Sequence, residues 1–154
     1  MLQVGYTITP MVNRIPDHND WKGYQQDLGV KYMYKLFFGQ CFIQAMSHFG
    51  DSRSIERADE LLFCPRNVFQ YYIFSFANFI LSKEAKGDSD SASSFLTFLK
   101  IREQKDPGSV AAIYPQLKPV IEYVARNQAY FEADIDVYGH FKHTAKEVYQ
   151  LCNK

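Results

Sequence analysis

The sequence predicts an all-α protein, a compact bundle of several helices that enclose one central helix. Residues 66–82 place apolar or aromatic side chains on nearly every side of a helix. Over most of the remaining chain, apolar residues recur at the spacing of helices rather than at alternate positions. With 154 residues the chain has the size of one domain, which at this length buries roughly 68–70% of its unfolded surface. We therefore expect residues 1–154 to form a single helical domain.

The central helix is apolar almost all round, so its neighbours have to enclose it. The chain contains 13 Phe and 11 Tyr, so we expect a core built largely on aromatic rings. A narrow polar strip remains, formed by Asn67, Tyr71, Ser75, Asn78 and Ser82. Two arrangements fit this strip: it faces solvent, or it is a buried polar seam whose groups need hydrogen-bond partners.

The chain begins with a strand-like arm. Residues 2–8 alternate between apolar and polar positions, and Pro10 ends this pattern. We expect residues 1–16 to form a short extended arm. It either packs along the helices or pairs as a strand with another chain, which would give a homodimer or extend a partner's sheet.

A long first helix is expected over residues 21–49, after the capping residues 17–20. Gly29 and Gly39 are two positions at which this helix would bend. Its polar side changes partway along, which predicts a helix that crosses the central helix at an angle and meets other neighbours beyond the crossing. The glycine and polar residues at 50–52 end it.

The middle of the chain predicts two shorter helices on either side of the central one. The first is Ser54–Phe63. Residues 83–91 are polar and rich in small side chains, which predicts a flexible loop. Asp90 or Ser91 would cap the next helix, which we expect to end near Glu103.

Two further helices are expected in the last third of the chain. Pro115 suits the first position of the earlier one, and Pro119 would kink it or delay its start. Its apolar spacing continues to Phe131, and Asp134 or Asp136 would cap the last helix. The last helix has one continuous apolar stripe, formed by Tyr138, Phe141, Ala145, Val148, Tyr149 and Cys152.

The last helix also carries the one cluster of chemically reactive residue types. Asp136, His140, His143 and Glu147 form a single stripe opposite the apolar one if the helix is continuous. Three interpretations fit: a solvated face on which acids and histidines pair, a pH-sensitive or protein-contact stripe, and a metal site. A metal would need ligands from a second element, and the sequence identifies none, so we expect no metal site.

The preceding helix carries a different pattern. Tyr123, Arg126 and Tyr130 lie together to one side of its apolar stripe. A guanidinium between two rings makes a cation–π arrangement, and Tyr and Arg often anchor protein interfaces. The alternative is that both tyrosines pack against a neighbouring helix and Arg126 extends over them.

Charge and cysteine content restrict the partners and the location. The chain has 17 basic and 17 acidic residues with no block of like charge, which disfavours nucleic acids and membranes as partners. Cys41, Cys64 and Cys152 match no zinc-binding spacing and are interpreted as reduced thiols. No signal peptide is evident, and the apolar part of residues 66–82 is shorter than a membrane-spanning helix requires. We expect a cytoplasmic protein.

The sequence lacks the common catalytic motifs. It contains no glycine-rich phosphate loop, no G-x-S-x-G elbow and no H-E-x-x-H pair. We therefore expect a protein that is not an enzyme, needs no cofactor and occupies a protein partner. A cytoplasmic immunity protein that neutralises a toxin, or an adaptor that holds an effector, would fit.

The expected partner-binding residues are Tyr123, Arg126, Tyr130, His140 and His143. Two alternative functions stay open. The first is a small helical enzyme or metal-binding protein that uses Asp136, His140, His143 and Glu147. The second is a carrier of a small apolar ligand held among the aromatic rings of the bundle.

Overall fold

The computed structural model describes residues 6–154. This part of the chain is all-helical and contains no β-strand, which confirms the predicted fold class. The helices are α1 Leu28–Phe37, α2 Ser54–Phe63, α3 Arg66–Ile80, α4 Ser89–Lys105, α5 Tyr114–Arg126, the single-turn α6 Ile135–Tyr138, and α7 Phe141–Cys152. Short 3₁₀ turns occur at Tyr24–Gln26, Gln44–His48, Lys83–Ala85 and Ala111–Ile113.

Helix α3 is almost entirely buried. Twelve of its 15 residues are buried, and it packs against α2, α4, α5 and the turn Gln44–His48. Phe76 of α3 stacks on Phe49 with 4.7 Å between the ring centroids, and it meets Phe95 of α4 edge-on at 5.4 Å. Aromatic rings therefore make the contacts between α3 and the elements on two of its sides.

The first helix is much shorter than predicted. It begins after Asp27, whose carboxylate accepts a hydrogen bond from the Val30 amide at 3.0 Å, and it ends at Phe37. Gly39 has φ of 82°, a left-handed value that glycine adopts readily just after a helix. The predicted helix over residues 21–49 is therefore wrong outside α1. The two polar sides seen in the sequence lie on two separate segments, α1 and the chain that follows it, rather than on one helix.

Side chains of α3 hold the segment that follows α1. The Tyr72 hydroxyl donates to the carbonyl oxygen of Gln40 at 2.7 Å. The Phe42 amide donates to the Tyr71 hydroxyl at 2.9 Å, and the Phe42 carbonyl accepts from the Ser75 hydroxyl at 2.7 Å. These bonds satisfy backbone groups that a continuous helix would have satisfied internally, so the segment can leave the helical path without losing its hydrogen bonds.

The polar strip of α3 is a buried seam in its middle part. Ser75 and Asn78 are buried, and both are hydrogen-bonded. Asn67 is exposed at one end of the strip, and Ser82 is half-buried at the other. Of the two arrangements that fit the sequence, the buried seam therefore applies to Ser75 and Asn78.

Asn78 also docks the N-terminal arm. Its side-chain amide donates to the Ile8 carbonyl and accepts from the Ile8 amide, both at 2.8 Å. One side chain thus satisfies both backbone groups of Ile8, as a neighbouring strand would. The described residues 6–16 pack along the helices as irregular chain, with Pro10 and Pro16 buried. Of the strand predicted over residues 2–8, residues 2–5 lie outside the described part, and pairing with another chain stays a prediction.

Helix α4 begins earlier than predicted, whereas α2 has the predicted bounds. Asp88 caps α4, because its carboxylate accepts from the Ser91 amide at 3.0 Å and from the Ser91 hydroxyl at 2.6 Å. The predicted loop over residues 83–91 therefore contains a 3₁₀ turn and the first residues of α4. The Gly87 amide, between them, donates to the Tyr130 carbonyl at 3.1 Å.

Two buried charged residues of α4 cap neighbouring elements. Arg102 Nη1 donates to three carbonyl oxygens at the end of α2, at 2.8–3.1 Å. Glu103 accepts from three backbone amides of the turn that follows α4, at 2.7–3.0 Å. Both charges are therefore fully hydrogen-bonded, which is the condition for burying them.

Within residues 6–154, no helix combines the length and the apolar character that crossing a bilayer requires. The three cysteines are unpaired. Burial raises the pKa of the Cys64 and Cys152 thiols to about 12, which keeps both protonated at neutral pH.

Candidate functional site

The predicted last helix is two helices, α6 and α7, joined at Gly139. This glycine has φ of 73° and ψ of −176°, a conformation that is essentially restricted to glycine. His140 is the N-cap residue of α7, with extended backbone geometry. The single stripe predicted from Asp136 to Glu147 is therefore wrong, because its members lie on α6, on the connection and on α7.

The remaining members of the stripe pair along α7. His143 Nε2 lies 3.7 Å from Glu147 Oε1, and Glu147 Oε2 lies 3.0 Å from Lys100 Nζ of α4. Among residues 6–154, no three His, Cys, Asp or Glu side chains come together as metal ligands. This arrangement favours the solvated face on which acids and histidines pair.

Gln128 fixes the corner between α5 and α7. Helix α5 ends at Arg126, so the helical spacing predicted to continue through Gln128 to Phe131 is wrong. The Gln128 amide nitrogen donates to the carbonyls of Ala133 (3.1 Å) and Gly139 (2.7 Å), and its amide oxygen accepts from the Phe141 amide (2.9 Å). One side chain thus connects the turn after α5 to the break before α7.

A groove lies at this corner, and we call it the corner groove. Its volume is about 410 Å³. It is lined by Ala125, Arg126, Gln128, Ala129, Ala133, Ile135, His140 and Lys142. Arg126 and His140, which two separate sequence patterns had singled out, therefore line the same groove. Its apolar lining consists of three alanines and Ile135, and Arg126 and Lys142 supply basic groups.

A second groove runs along the outer side of α5, and we call it the α5 groove. Its volume is about 750 Å³. It is lined by Tyr6, Pro115, Lys118, Pro119, Glu122, Tyr123, Arg126 and Asn127. Because Arg126 lines both grooves, they adjoin at this residue. Pro115 occupies the start of α5 and Pro119 lies inside it, so two prolines without amide protons face the groove.

The predicted trio Tyr123, Arg126 and Tyr130 is arranged differently from a cation–π sandwich. Both tyrosine rings meet Phe131 edge-on, at centroid distances of 6.0 Å and 5.2 Å. Burial raises the pKa of Tyr123, and the neighbouring Tyr130 adds to this effect. Within residues 6–154 the cation–π contacts are made by other basic residues, and Arg126 is exposed. The tyrosines therefore pack on the protein, and the guanidinium extends into solvent.

The two grooves carry more positive than negative charge. Lys118, Arg126 and Lys142 line them, against one acidic residue, Glu122. None of the three basic side chains forms a salt bridge within the part of the chain that the structure describes. An excess of basic over acidic side chains, with none of the three in a salt bridge within residues 6–154, favours an acidic partner.

Apolar groups lie beside these charges. Ile135 of α6 lines the corner groove with 47% of its surface exposed, and Val137 on the same single-turn helix is 71% exposed. Exposed aliphatic side chains next to basic groups make a surface suited to a partner that is both apolar and acidic.

One cavity within the aromatic core is much smaller than the grooves. The cavity between α2, α3 and α4, lined by rings such as Phe69, Phe76 and Phe95, has a volume of about 10 Å³. That is room for one water molecule at most. This part of the core therefore cannot hold the small apolar ligand that one alternative required.

Sequence reasoning missed three contributors to the grooves. Lys118 could have been found, because it is spaced four residues from Glu122 and eight from Arg126 on one face of a helix. Lys142 and Gln128 could not, because their positions depend on the end of α5 and on the break at Gly139. Of the five expected partner-binding residues, Tyr123, Arg126 and His140 line the grooves, whereas Tyr130 and His143 do not.

Fold and site together define an all-helical protein with a surface groove that combines basic and apolar side chains. Comparison of the chain with known protein families, with curated proteins and with solved structures finds no match. The function is therefore inferred from the geometry of the grooves.

Proposed function

We propose that this is a non-enzymatic binding protein whose corner groove and α5 groove hold an acidic, partly apolar segment of a protein partner. The observation that carries the proposal is the position of Arg126, which is exposed, without a salt bridge in the described chain, and shared by both grooves. An arginine at the centre of a groove is a typical anchor for a carboxylate, because its guanidinium binds both oxygens at once.

The shape of the grooves supports a polypeptide as the occupant. Their volumes, about 410 Å³ and 750 Å³, match pockets that take several side chains, and they adjoin at Arg126. A partner segment could place an acidic residue at Arg126, a second one near Lys142 or Lys118, and an aliphatic residue against Ile135. Such complementarity of charge accelerates association and selects the partner.

Inhibition of a toxin, or retention of an effector, is the form of this function that we favour. It requires that the partner present an acidic surface to the groove, because the basic residues lie on this chain. We further propose that the protein acts in the cytoplasm, a location supported by its three unpaired cysteines.

Site-specific cross-linking tests the proposal. A photoreactive phenylalanine placed at Ala129, an exposed residue of the corner groove, should form a specific adduct in the source cells, and the attached peptide should contain acidic residues. The same group at Lys31, exposed on α1, is the matched control. Adducts that are the same at both positions, or absent at Ala129, would overturn the proposal.

Charge reversal gives the second readout. Arg126→Glu combined with Lys142→Glu should weaken binding of the cross-linked partner at least about tenfold, since truncating groups at an interface centre typically costs more than 1 kcal/mol. The control is Lys31→Glu with Lys35→Glu, which makes the same change of charge on the exposed side of α1. Equal loss in both double variants would show a general charge effect and contradict a site at the grooves.

A further inference from the structure

A smaller cleft lies on another part of the molecule, between the N-terminal arm and α3, and we call it the arm cleft. Its volume is about 260 Å³. Met11, Val12 and Pro16 of the arm form apolar walls, together with Ile113 and Tyr71. The cleft is independent of the grooves around Arg126.

One carboxylate is built into this cleft. The Asp20 side chain is only 7% exposed. Its oxygens accept from the Asn67 side-chain amide (3.0 Å), the Asp17 backbone amide (2.9 Å) and Arg14 Nη1 (3.2 Å). Burial raises the pKa of Asp20, but these hydrogen bonds outweigh burial and leave the pKa below its ordinary value. Asp20 is therefore ionised at neutral pH.

Arg14 and Asp20 are the charged residues that line the cleft, and a second carboxylate, the more exposed Asp17, lies beside them. Arg14 lies between two carboxylates, 3.4 Å from Asp17 and 3.2 Å from Asp20. Its single positive charge neutralises only one of them. A ligand that carries a positive charge would complete the balance.

Two side-chain amides contribute oxygen atoms that accept no hydrogen bond from the described residues. The Asn67 nitrogen donates to Asp20, and the Gln70 nitrogen donates to the Ser109 carbonyl at 2.9 Å. Both partners are acceptors only, so the orientation of each amide is fixed with its nitrogen towards that partner. The two amide oxygens receive no hydrogen bond from any described residue, and both side chains line the cleft. They are suited to accept from a bound N–H group.

We propose that the arm cleft binds a small primary amine with an apolar body. The ammonium group would donate to the oxygens of Asn67 and Gln70 near the Asp20 carboxylate. The apolar body would lie against Met11, Val12 and the ring of Tyr71. An aromatic ring near an ammonium group adds a cation–π attraction, and the mixture of apolar walls with a few polar groups is typical of ligand sites.

Titration with benzylamine tests this proposal, with benzyl alcohol and phenylacetate as neutral and anionic analogues of similar size. We expect benzylamine to bind with a Kd on the order of 1 mM, the range of a small fragment, and to shift the amide NMR signals of residues at the cleft. Benzyl alcohol should bind at least about tenfold more weakly, and phenylacetate should not bind. No saturation by benzylamine up to about 10 mM, or equal binding of phenylacetate, would overturn the proposal.

Two substitutions test whether benzylamine binds in the arm cleft. Val12→Trp, at a position that is 62% exposed, should fill the cleft from its rim and abolish benzylamine binding without unfolding the domain. Val137→Trp, at the 71% exposed position on α6, is the matched control and should leave binding unchanged. Benzylamine bound by Val12→Trp with the affinity of the wild type would show that the amine binds elsewhere and would overturn the proposal. The thermal midpoint of each variant verifies that it is folded.

Discussion

Gln128 is a single residue on which the geometry of the corner groove depends. Its side chain contacts the backbone at Ala133, Gly139 and Phe141, which belong to three consecutive parts of the chain. Each contact is a hydrogen bond to a backbone group that lies outside the helices or at the start of one. Such a group has no partner within a helix. The residue therefore contributes to stability and also sets the distance between α5 and the start of α7.

Replacement of Gln128 tests this role. Gln128→Leu keeps the approximate size but leaves the Phe141 amide and the Gly139 carbonyl without this partner, so we expect a loss of about 1–3 kcal/mol in the free energy of unfolding. Chemical denaturation measures it. Gln150→Leu, at an exposed position of α7, is the matched control and should change stability by less than about 0.5 kcal/mol. An equal loss in both variants would mean that Gln128 does not connect these segments.

At the scale of elements, the N-terminal arm is connected to the bundle through the Asn78 amide and through buried prolines. The contact between Ile8 and Asn78 joins residues 70 positions apart in the chain. It closes a large loop, and loop closure over such a length costs entropy that the contact must offset. A local change at Asn78 should therefore release the arm.

Asn78→Ala should release the arm. The change removes both hydrogen bonds to Ile8 and one to the Phe74 carbonyl, so we expect a loss of about 1–3 kcal/mol and faster trypsin cleavage after Arg14. The control is Asn153→Ala, which removes only a local hydrogen bond to the Tyr149 carbonyl near the end of α7. If the rate of cleavage after Arg14 is the same as in the wild type, Asn78 does not hold the arm.

At the scale of the whole molecule, stability should depend on pH through His48. Burial lowers the pKa of this residue below the ordinary value of 6.5, and the nearby positive charges of Arg57 and Arg53 lower it further. The folded state thus binds the proton less readily than the unfolded state. The stability that neutral His48 contributes is therefore fully present above pH 6.5. It is lost as the pH falls from 6.5 towards the lowered pKa of His48 in the folded state.

Urea denaturation between about pH 7.5 and pH 5.5 measures this dependence. His48→Gln should flatten it, because the residue that titrates is gone, while His143→Gln, at an exposed position of α7, should keep the slope of the wild type. The difference between wild type and His48→Gln isolates this histidine from carboxylates that titrate at lower pH. Parallel profiles for those two proteins would contradict the assignment.

Local patterns in the sequence predict the helices that begin and end with clear signals. Ser54–Phe63 lies between a polar break and a proline, and its bounds are as predicted. The long first helix was wrong beyond Phe37 because Tyr71, Tyr72 and Ser75 of α3 satisfy backbone groups of residues 37–42 from outside. Such long-range hydrogen bonds leave no periodic signal in the segment that they shape.

The candidate site was predictable only in part, for the same reason. Tyr123 and Arg126 lie on one helix, so their proximity follows from their spacing. The approach of His140 and Lys142 to Arg126 depends on one glycine conformation, at Gly139, and on one side chain, Gln128. Neither can be recognised from residue types alone, because glycine and glutamine occur at many positions without such a role.

The hydrogen bonds from α3 to the segment after α1 also affect which substitutions the chain tolerates. The hydroxyls of Tyr71, Tyr72 and Ser75 contact only backbone atoms of residues 37–42, which every amino acid except proline supplies in full. In a scan of all single substitutions, the exposed positions of this segment should tolerate most residue types. Tyr71, Tyr72 and Ser75 of α3 should tolerate very few. The shape of one stretch of chain is thus encoded some thirty residues away from it, and the two stretches can diverge at very different rates.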